Sequence, residues 1–403
     1  MEYSKILELH KLALRQIEPY TKKRLVFRKI VSELQHQKRI LAIVGPRGAG
    51  KTVLLRQLAA QIQQAIYISL DSIENFDLFE NIKTLAQVYK YSLFLLDEIH
   101  YVKNYERELK KIYDFLNVQI ICTSSSALSI HQSAHDLSRR IKIEEMLPFS
   151  YREFLYFKED ILLEPLTLSD IVEDNYSPEY LRYGYLFDDY LKGQLWPFAL
   201  EEADVFSVLN NVLQKIINRD VPAMVNLRMD ELNIINKLIR FIGLSDVDGI
   251  NYSSLSRNIG ITKFKAESYL RLLEKAYVLR IIFPGGTNVL KEPKVLMQVP
   301  YRLLFNDYQL ALGGLREDYF AMALSQARFN FSYLKSIRGS KTPDYLVEDG
   351  KKKTIIEVGG KGKGRQQFKG ISGTKQVVFY HGDIPQGIKK PLFLLGFLSG
   401  DDK

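Results

Sequence analysis

Cysteine is almost absent from this sequence. Its 403 residues include one cysteine, Cys122, so the chain can form no internal disulfide and no metal site built from several thiolates. Such low cysteine use is typical of a reducing compartment, and the first twenty residues lack the basic and apolar segments of a secretory signal. We therefore expect a cytoplasmic protein.

Long apolar runs are absent as well. The longest, such as Leu392–Leu398, fall far short of the ~18 residues that a membrane-spanning helix needs, so no membrane partner is expected. Hydrophobic residues make up 46% of the chain and charged residues 26%, which is the balance of a globular protein rather than a disordered one. At roughly 150 residues per domain, the length predicts two or three domains.

Acidic residues are outnumbered by basic ones. The 56 lysines and arginines against 47 acids give a formal charge of +9. An excess of this size favours polyanionic partners such as nucleic acid, because binding releases counterions. A solvated, lysine-rich surface would give the same charge, so composition leaves both interpretations open.

Short apolar runs rich in β-branched residues alternate with helical stretches over the first third of the chain. This alternation predicts an α/β fold with a mostly parallel sheet covered by helices. The predicted strands are Arg39–Val44, Ala65–Leu70, Ser92–Leu96, Val118–Cys122 and Arg140–Ile143. The predicted helices are Thr52–Gln64, Ile73–Tyr89, Tyr105–Phe115 and Ala127–Leu137.

The alternation stops at Pro148, and the chain divides into four predicted segments. Residues 1–148 hold amino-terminal helices and the sheet core, and the tyrosine-rich residues 149–226 predict a helical lid. In residues 227–283, two helices separated by Gly260 and followed by a strand are typical of a winged helix-turn-helix. Residues 284–403 are richer in glycine and lysine and predict a separate α/β domain.

A glycine-rich segment between the first predicted strand and helix matches the pattern G-x-x-x-x-G-K-[ST]. Its glycines would let backbone N–H groups surround the β-phosphate of a nucleoside triphosphate, at the positive end of the helix dipole. Lys51 is expected to reach the β- and γ-phosphates, and the Thr52 hydroxyl to ligate Mg²⁺. ATP and Mg²⁺ are thus the predicted cofactors. The predicted nucleotide-binding residues are Gly45, Pro46, Arg47, Gly48, Ala49, Gly50, Lys51, Thr52, Val53 and Asp97.

Two acids follow the predicted strand Ser92–Leu96. Asp97 is expected to hold the Mg²⁺ shell, and Glu98 to polarise the attacking water. The glycine-rich motif and this acid pair occur in the expected order, each with the expected flanking elements. Together they predict hydrolysis of ATP and not only its binding, with Lys51 and Glu98 as catalytic residues.

Several segments beyond the phosphate motif resemble one family. They are Asp97–His100, Glu108–Asp114, Thr123–Ser126, Leu137–Arg140 and Leu147–Leu155. Together they resemble the prokaryotic AAA-type ATPases that carry a C-terminal nuclease-like domain of the PD-(D/E)xK fold, over nearly the whole chain. The resemblance implies that residues 1–148 form an AAA-type P-loop ATPase core and residues 284–403 a nuclease-like domain.

The resemblance also implies two further residues at the nucleotide. In the AAA-type arrangement, a polar side chain at the end of the strand after the acids senses the γ-phosphate, and here this is Thr123 or Ser124. Arg140 matches the arginine of the family's Gly-Arg pair, although Arg139 replaces the glycine, and it would act as an arginine finger. A finger supplied by a neighbouring subunit would require a homo-oligomer, and a solvated surface charge is the alternative.

The second helix of the predicted winged helix-turn-helix carries basic residues. Lys263, Lys265 and Arg271 fall on or near its outer face, which in a DNA-bound winged helix enters the major groove. DNA is therefore the favoured partner. Acids such as Glu267 and Glu274 interrupt this face, so a docking or spacer domain is the alternative.

Two carboxylates are expected to meet on a hairpin in the last segment. Asp344 begins a strand, Asp349 and Gly350 form a turn, and Glu357 lies near the end of the next strand. Two such carboxylates suit Mg²⁺ or Mn²⁺ and metal-assisted hydrolysis of phosphodiesters. Glu317, near the start of an upstream helix, is a candidate third acid.

The nuclease-like domain that this segment resembles has a lysine two residues after the second acid, but here that residue is Gly359. Lys361 faces the same side if the strand continues, because side chains repeat every two residues. Asp344, Glu357 and Lys361 are thus the candidate catalytic residues, and Lys363 and Lys369 are the alternative cations if Lys361 does not serve. A decayed nuclease is the alternative, in which the protein is an ATP-gated binding or signalling scaffold.

Overall fold

The structure is a computed structural model, and it describes residues 3–34, 40–124, 139–225, 227–285, 292–334, 342–350, 352–360, 362–368 and 374–399. These residues form two compact units, Met1–Pro148 and Phe149–Lys403. None of the helices within these ranges combines the length and the apolar character needed to cross a bilayer.

The first unit is built on a sheet of five parallel strands. The strands are β1 (Ile40–Val44), β2 (Ala65–Ser69), β3 (Leu93–Asp97), β4 (Gln119–Ser124) and β5 (Ile141–Glu145), in the order β2-β3-β4-β1-β5. The first four are almost fully buried, and β5 at one edge is more exposed. The predicted α/β class with a parallel sheet core is therefore confirmed.

Helices cover both faces of this sheet. They are α1 (Tyr3–Ile17), α2 (Val26–Leu34), α3 (Lys51–Gln61), α4 (Leu78–Gln87) and α5 (Tyr105–Phe115). Alternate residues of β1 belong to two apolar clusters: Ile40, Ala42 and Val44 pack with α4 and α5, and Leu41 and Ile43 pack with α2 and α3. Burial on both faces explains why these strands appear in the sequence as continuous apolar runs.

One helix of the first unit begins later than predicted. The pattern predicts a helix from Ile73, but α4 begins at Leu78 because the Asp77 side chain caps it by accepting a hydrogen bond from the Glu80 backbone N. The predicted helix Ala127–Leu137 lies outside the described residues.

The second unit starts with helices that surround an aromatic core. They are α6 (Tyr151–Glu159), α7 (Leu168–Glu173), α8 (Phe187–Asp189), α9 (Val205–Lys215), α10 (Val221–Met224) and α11 (Met229–Leu244). The ring of Tyr151 contacts Phe187 and Tyr190 from the predicted lid, and also Phe393 and Phe397 from the end of the chain. The predicted lid and the carboxy-terminal segment therefore share one core.

The middle of the second unit has the elements that the winged-helix interpretation requires. They are α12 (Tyr252–Ile259), α13 (Lys263–Lys275), β6 (Leu279–Ile282) and β7 (Lys294–Met297). Gly260 ends α12 with a φ of 76°, and the Thr262 side chain caps α13. β6 pairs antiparallel with β7, so the ribbon extends past residue 283, where the sequence suggested a boundary. The winged-helix interpretation stays a prediction.

A second five-stranded sheet closes the chain. It contains β8 (Asn330–Tyr333), β9 (Tyr345–Asp349), β10 (Lys352–Gly359), β11 (Lys375–Tyr380) and β12 (Lys389–Pro391), in the order β12-β11-β10-β9-β8. β8, β9 and β10 pair antiparallel, whereas β11 is parallel to β10 and to β12. Helix α14 (Tyr308–Gln326) packs against β10. The predicted hairpin with its turn at Gly350 (φ 58°) is present.

Candidate nucleotide and carboxylate sites

The glycine-rich segment forms a tight turn between β1 and α3. Gly48 and Gly50 have φ angles of 84° and 91°, in the left-handed region that favours glycine. A Cβ atom on Gly45 would lie 2.1 Å from the carbonyl oxygen of Met146, so this position also requires glycine. Helix α3 begins at Lys51, directly after Gly50. The turn thus has the backbone that a phosphate-binding loop requires.

The Lys51 side chain folds into this turn. It is buried, and its Nζ atom donates to the carbonyl oxygens of Gly45 at 2.7 Å and Pro46 at 2.8 Å. Thr52 follows in the first turn of α3 and is half-buried. The ammonium group therefore lies inside the glycine turn, where the sequence predicted contact with phosphate.

Asp97 is held by hydroxyl groups from two neighbouring strands. It is buried, its Oδ2 atom accepts a 2.8 Å hydrogen bond from the Tyr67 hydroxyl, and its Oδ1 atom accepts one from Thr123 Oγ1 at 2.5 Å. β3 and β1 are parallel strands of one sheet, so their carboxyl ends lie on the same side of it. Asp97 at the end of β3 and the glycine turn after β1 therefore lie on that side. Asp97 and Thr52 are the residues that fit a Mg²⁺ ion bound with a nucleotide, since carboxylate and hydroxyl oxygens are its preferred ligands.

Glu98 adopts a left-handed backbone conformation, with φ 54° and ψ 56°. Such a conformation is uncommon for a residue with a side chain and clusters at functional sites. The Glu98 backbone N donates to Thr123 Oγ1 at 3.0 Å, and its carboxylate lies 3.8 Å from Arg47 Nη1 and 3.3 Å from His100 Nδ1. Because Arg47 belongs to the glycine turn, the structure brings Glu98 to the predicted phosphate site.

The two candidate sensor residues lie at the end of β4, and both are fully buried. Thr123 contacts both Asp97 and Glu98, as described above, and the Ser124 Oγ atom lies 3.3 Å from His100 Nδ1. Thr123 thus orients the two acids, and a role in sensing the γ-phosphate stays a prediction for both residues.

Arg140 lies at the amino-terminal ends of the parallel strands, whereas the glycine turn lies at their carboxyl ends. It precedes β5, and its carbonyl oxygen accepts from the backbone N of Ile40, the first residue of β1. Its guanidinium forms two hydrogen bonds to the Asp114 carboxylate, at 3.0 and 3.2 Å. The length of β1, roughly 13 Å at ~3.3 Å per residue, therefore separates Arg140 from the turn. This placement does not support an arginine finger acting within its own chain, and a finger supplied to a neighbouring subunit stays a prediction.

The sequence did not indicate that a basic residue, Arg24, binds the backbone of the glycine turn. The Arg24 guanidinium donates to the carbonyl oxygens of Ala49 at 2.8 Å and Leu147 at 3.0 Å. Gln57, on α3, donates to the carbonyl oxygens of Tyr20 and Lys22 in the same amino-terminal segment. No motif marks these residues, because their contacts join distant parts of the chain.

The basic residues predicted on the outer face of α13 are all paired with acids. Lys263 Nζ lies 3.1 Å from Glu292, Lys265 Nζ lies 3.4 Å from Glu231, and the Arg271 guanidinium lies 2.7 Å from Glu267. A phosphate backbone would have to compete with these carboxylates, so the basic face is weaker than the sequence suggests.

Three acids of the carboxy-terminal segment approach one another across α14, β9 and β10. The Oδ2 atom of Asp344 accepts a 2.8 Å hydrogen bond from the backbone N of Val358, the residue after Glu357. Burial, together with the negative charges of Glu317 and Glu357, raises the pKa of Asp344 to about 8. Asp344 directly precedes β9 and lies close to Glu357 on β10, and a shared metal site at these two acids stays a prediction.

Two lysines neutralise part of this cluster. Lys294 from β7 is buried, and its Nζ atom lies 2.6 Å from Glu317 Oε2, which also accepts a 2.6 Å hydrogen bond from the Tyr345 hydroxyl. Lys363 Nζ lies 2.6 Å from Glu357 Oε1. Sequence reasoning singled out Lys361, which lies outside the described residues, and it gave Lys294 no role.

The side chains around Asp344 offer two carboxylates to a divalent cation. Within the described ranges, no three His, Cys, Asp or Glu side chains are arranged to hold a metal ion by themselves. Mg²⁺ is, however, commonly held by one or two carboxylates together with water and substrate oxygens. The Glu357 Oε2 atom is buried without a hydrogen-bond partner. Asp344 and Glu357 therefore fit a cation that takes its remaining ligands from water and a phosphate group.

Comparison with known proteins shows that two segments of the chain are similar to described domains. Residues 37–155 match a family described as AAA domain, and residues 195–307 match one described as Domain of unknown function (DUF8612). Neither description names a nuclease.

Two related proteins of known sequence are described as uncharacterized. An uncharacterized protein of Methanocaldococcus jannaschii is 29% identical over 381 residues, which cover 84% of this chain and 79% of that protein. An uncharacterized protein of Haemophilus influenzae is 24% identical over 260 residues, which cover 59% of this chain and 61% of that protein.

Among solved structures, a Walker-type ATPase of Pyrococcus abyssi is 14% identical with a TM-score of 0.40, covering 70% of this chain and 94% of that one. The matched AAA domain contains the glycine turn, Asp97 and Glu98. Residues 37–155 are therefore similar to an AAA domain, and they include the residues of the first site.

Proposed function

We propose that this protein is an ATP-hydrolysing switch that acts on nucleic acid. The observation that carries the ATPase part is the convergence of the glycine turn, Asp97 and Glu98 at one sheet edge. Lys51 would pair with the β- and γ-phosphates, Thr52 and Asp97 would hold Mg²⁺, and Glu98 would orient the attacking water. Release of phosphate from ATP in the presence of Mg²⁺, measured on the full chain, is the direct test.

Nucleic acid is the proposed partner, with DNA favoured. The support is the net charge of +9 and the helix pair with its antiparallel ribbon in residues 252–297. The pairing of Lys263, Lys265 and Arg271 with acids argues for a modest affinity. Binding of labelled duplex and single strands at low salt, with and without ATP, tests this partner.

A homo-oligomer belongs to the proposal only if Arg140 serves a neighbouring subunit. Light scattering with ATP tests that arrangement.

A second activity, metal-dependent cleavage of phosphodiesters, is proposed for Asp344 and Glu357. The specific observation is the proximity of Asp344, at the start of β9, to Glu357 on β10, with an unpartnered, buried Oε2 atom on Glu357. A divalent cation bound there would supply positive charge at the reacting phosphate. Water would form the new P–O bond while the bond to the leaving oxygen breaks, and the proton lost by water would balance the proton gained by the leaving group. A nearby lysine would offset the charge of the transition state, and Lys361 was the sequence-based candidate.

The alternative is an ATP-gated scaffold whose carboxy-terminal domain cuts nothing. Two ion pairs favour this alternative. Lys294 pairs with Glu317 and Lys363 pairs with Glu357, and both pairs reduce the negative charge that could bind a metal ion. A cleavage assay with Mg²⁺ and with Mn²⁺ separates the two functions. Asp344→Ala is the informative variant, since it should lose cleavage and keep ATP hydrolysis. Wild-type protein that cuts neither DNA nor RNA with either metal would leave the scaffold.

A further inference from the structure

The side chain of Lys363 fills the space beside Gly359. A Cβ atom built on Gly359 would lie 2.6 Å from Lys363 Cγ and 3.2 Å from Lys363 Cε. Carbon atoms that are not bonded to each other do not approach so closely. The aliphatic stem of Lys363 therefore occupies the volume that any side chain at position 359 would need.

The turn after β10 directs this lysine back to the carboxylates. The backbone N of Lys363 donates to the Gly360 carbonyl oxygen at 3.1 Å, and the ammonium group lies 2.6 Å from Glu357 Oε1. The Lys363 side chain is 43% exposed, whereas that of Glu357 is 1% exposed. A phosphate group arriving from solvent can thus reach the ammonium without displacing the acid.

A second cation faces the same turn. A Cβ atom on Gly360 would lie 3.3 Å from Arg316 Nη1, and the Nε atom of Arg316 is buried without a hydrogen-bond partner. The nearby acid, Asp188, instead accepts hydrogen bonds from the Tyr308 hydroxyl and from His381 Nε2, at 2.8 and 2.7 Å. Two consecutive glycines, Gly359 and Gly360, therefore each lie against a different basic side chain.

We propose that Lys363 is the cation that contacts the reacting phosphate, and that position 359 is a glycine because Lys363 uses its space. The proposal rests on the phosphodiesterase activity proposed above. The ammonium pairs with a non-bridging phosphate oxygen and offsets the charge that grows in the transition state. Arg316 pairs with the adjacent phosphate, so the ligand is a polynucleotide with at least two consecutive phosphates.

The steric part of the proposal is tested without any cleavage. Gly359→Ala should lower the melting temperature of the otherwise wild-type protein, because the new methyl group collides with the Lys363 stem. In a Lys363→Ala background the same substitution should cause little or no shift. Equal shifts in both backgrounds would show that Lys363 does not fill this space, and would overturn the proposal.

The chemical part is tested by moving the lysine. Lys363→Ala should reduce metal-dependent cleavage by roughly 100-fold or more, with ATP hydrolysis unchanged. The matched control is Lys353→Ala, at an exposed position of β10 that pairs with Glu348, and it should cleave at the wild-type rate. Gly359→Lys combined with Lys363→Ala should restore much of the lost activity, since the ammonium then starts from the freed space. Arg316→Gln should raise the KM for a polynucleotide more than it lowers kcat.

The outcomes separate this proposal from the one it rests on. Wild-type rates in Lys363→Ala, with cleavage lost in Asp344→Ala, would overturn the role of Lys363 alone. Absence of cleavage in the wild type with every metal would overturn both.

Discussion

The hydroxyl group of Tyr67 donates a 2.8 Å hydrogen bond to the Oδ2 atom of Asp97, and both side chains are buried. Burial and the charge of Asp97 raise the pKa of Tyr67, which keeps its hydroxyl protonated and able to donate. Thr123 holds the other carboxylate oxygen. The acid proposed to hold Mg²⁺ is thus fixed in orientation before any metal arrives.

Replacement of Tyr67 by phenylalanine should loosen Asp97. The loss of one hydrogen bond to a charged group costs about 1.5–3 kcal/mol, and we expect part of it to appear as a higher Mg²⁺ concentration for half-maximal ATP hydrolysis. Tyr89→Phe, at an exposed position of the same unit, is the control. An unchanged Mg²⁺ dependence in Tyr67→Phe would mean that Thr123 alone positions the acid.

Lys51→Ala and Glu98→Gln should separate nucleotide binding from turnover. Lys51→Ala removes the ammonium from the glycine turn and should abolish tight ATP binding. Glu98→Gln should keep binding and lose hydrolysis by several orders of magnitude, because the group that orients water is lost. Binding is measured with a fluorescent ATP analogue and turnover by phosphate release. A Glu98→Gln protein that hydrolyses ATP at the wild-type rate would contradict our choice of catalytic acid.

Nucleic-acid affinity should fall steeply with salt if the face of α13 binds phosphates. Substitution of Lys263, Lys265 and Arg271 together by alanine should weaken binding and flatten the plot of log affinity against log salt. Glu292→Gln should strengthen binding, because it frees Lys263 from its ion pair. Lys158→Ala, on a different helix of the same unit, is the control. Lack of binding to duplex and single strands at low salt would exclude this partner.

The buried pair of Arg302 and Asp318 should be essential for the stability of the second unit. Arg302 donates to both Asp318 oxygens, at 2.8 and 3.2 Å, and to the carbonyl oxygens of Ile242 and Ser245. Asp318→Asn leaves the guanidinium buried without a counter-ion and should lower the free energy of unfolding by ~3–5 kcal/mol. Urea denaturation followed by circular dichroism measures this loss. A loss below about 1 kcal/mol, which is the size expected of a surface ion pair, would contradict the assignment.

His381 should make stability depend on pH in the mildly acidic range. Burial lowers the pKa of His381 below the usual 6.5. The positive charge of Arg316 also lowers this pKa, and the negative charge of Asp188 raises it by less than burial lowers it. The folded protein therefore favours the neutral ring. The contribution of His381 to the free energy of unfolding is fully present above pH 6.5 and is lost as the pH falls below that value. His381→Gln should reduce the fall measured by urea denaturation between pH 7.5 and 5.5. An identical pH profile in the variant would exclude His381 as its source.

The sequence was sufficient wherever the determining contacts are local. The glycine turn, Lys51 and the strand that ends in Asp97 follow from nearby residues, because a phosphate-binding turn is specified by its own glycines and by the elements on either side of it. The hairpin that brings Asp344 to Glu357 was predictable for the same reason, because the glycine after Asp349 marks a turn between two apolar runs. The structure pairs Asp349 with Lys352, so Asp349 ends β9 and the turn begins at Gly350.

Only the tertiary structure decided the positions that depend on distant partners. Arg140 follows the acid-bearing strands in sequence, but the parallel sheet places it at the edge away from the nucleotide turn, where Asp114 binds it. No sequence motif marks the side chains that contact the acids of the two sites. Tyr67 contacts Asp97, Lys294 contacts Glu317 and Lys363 contacts Glu357, each through a sheet or a turn that sequence periodicity does not encode. Residue patterns thus determined which chemistry this chain carries, and packing between remote segments decided which side chains reach it.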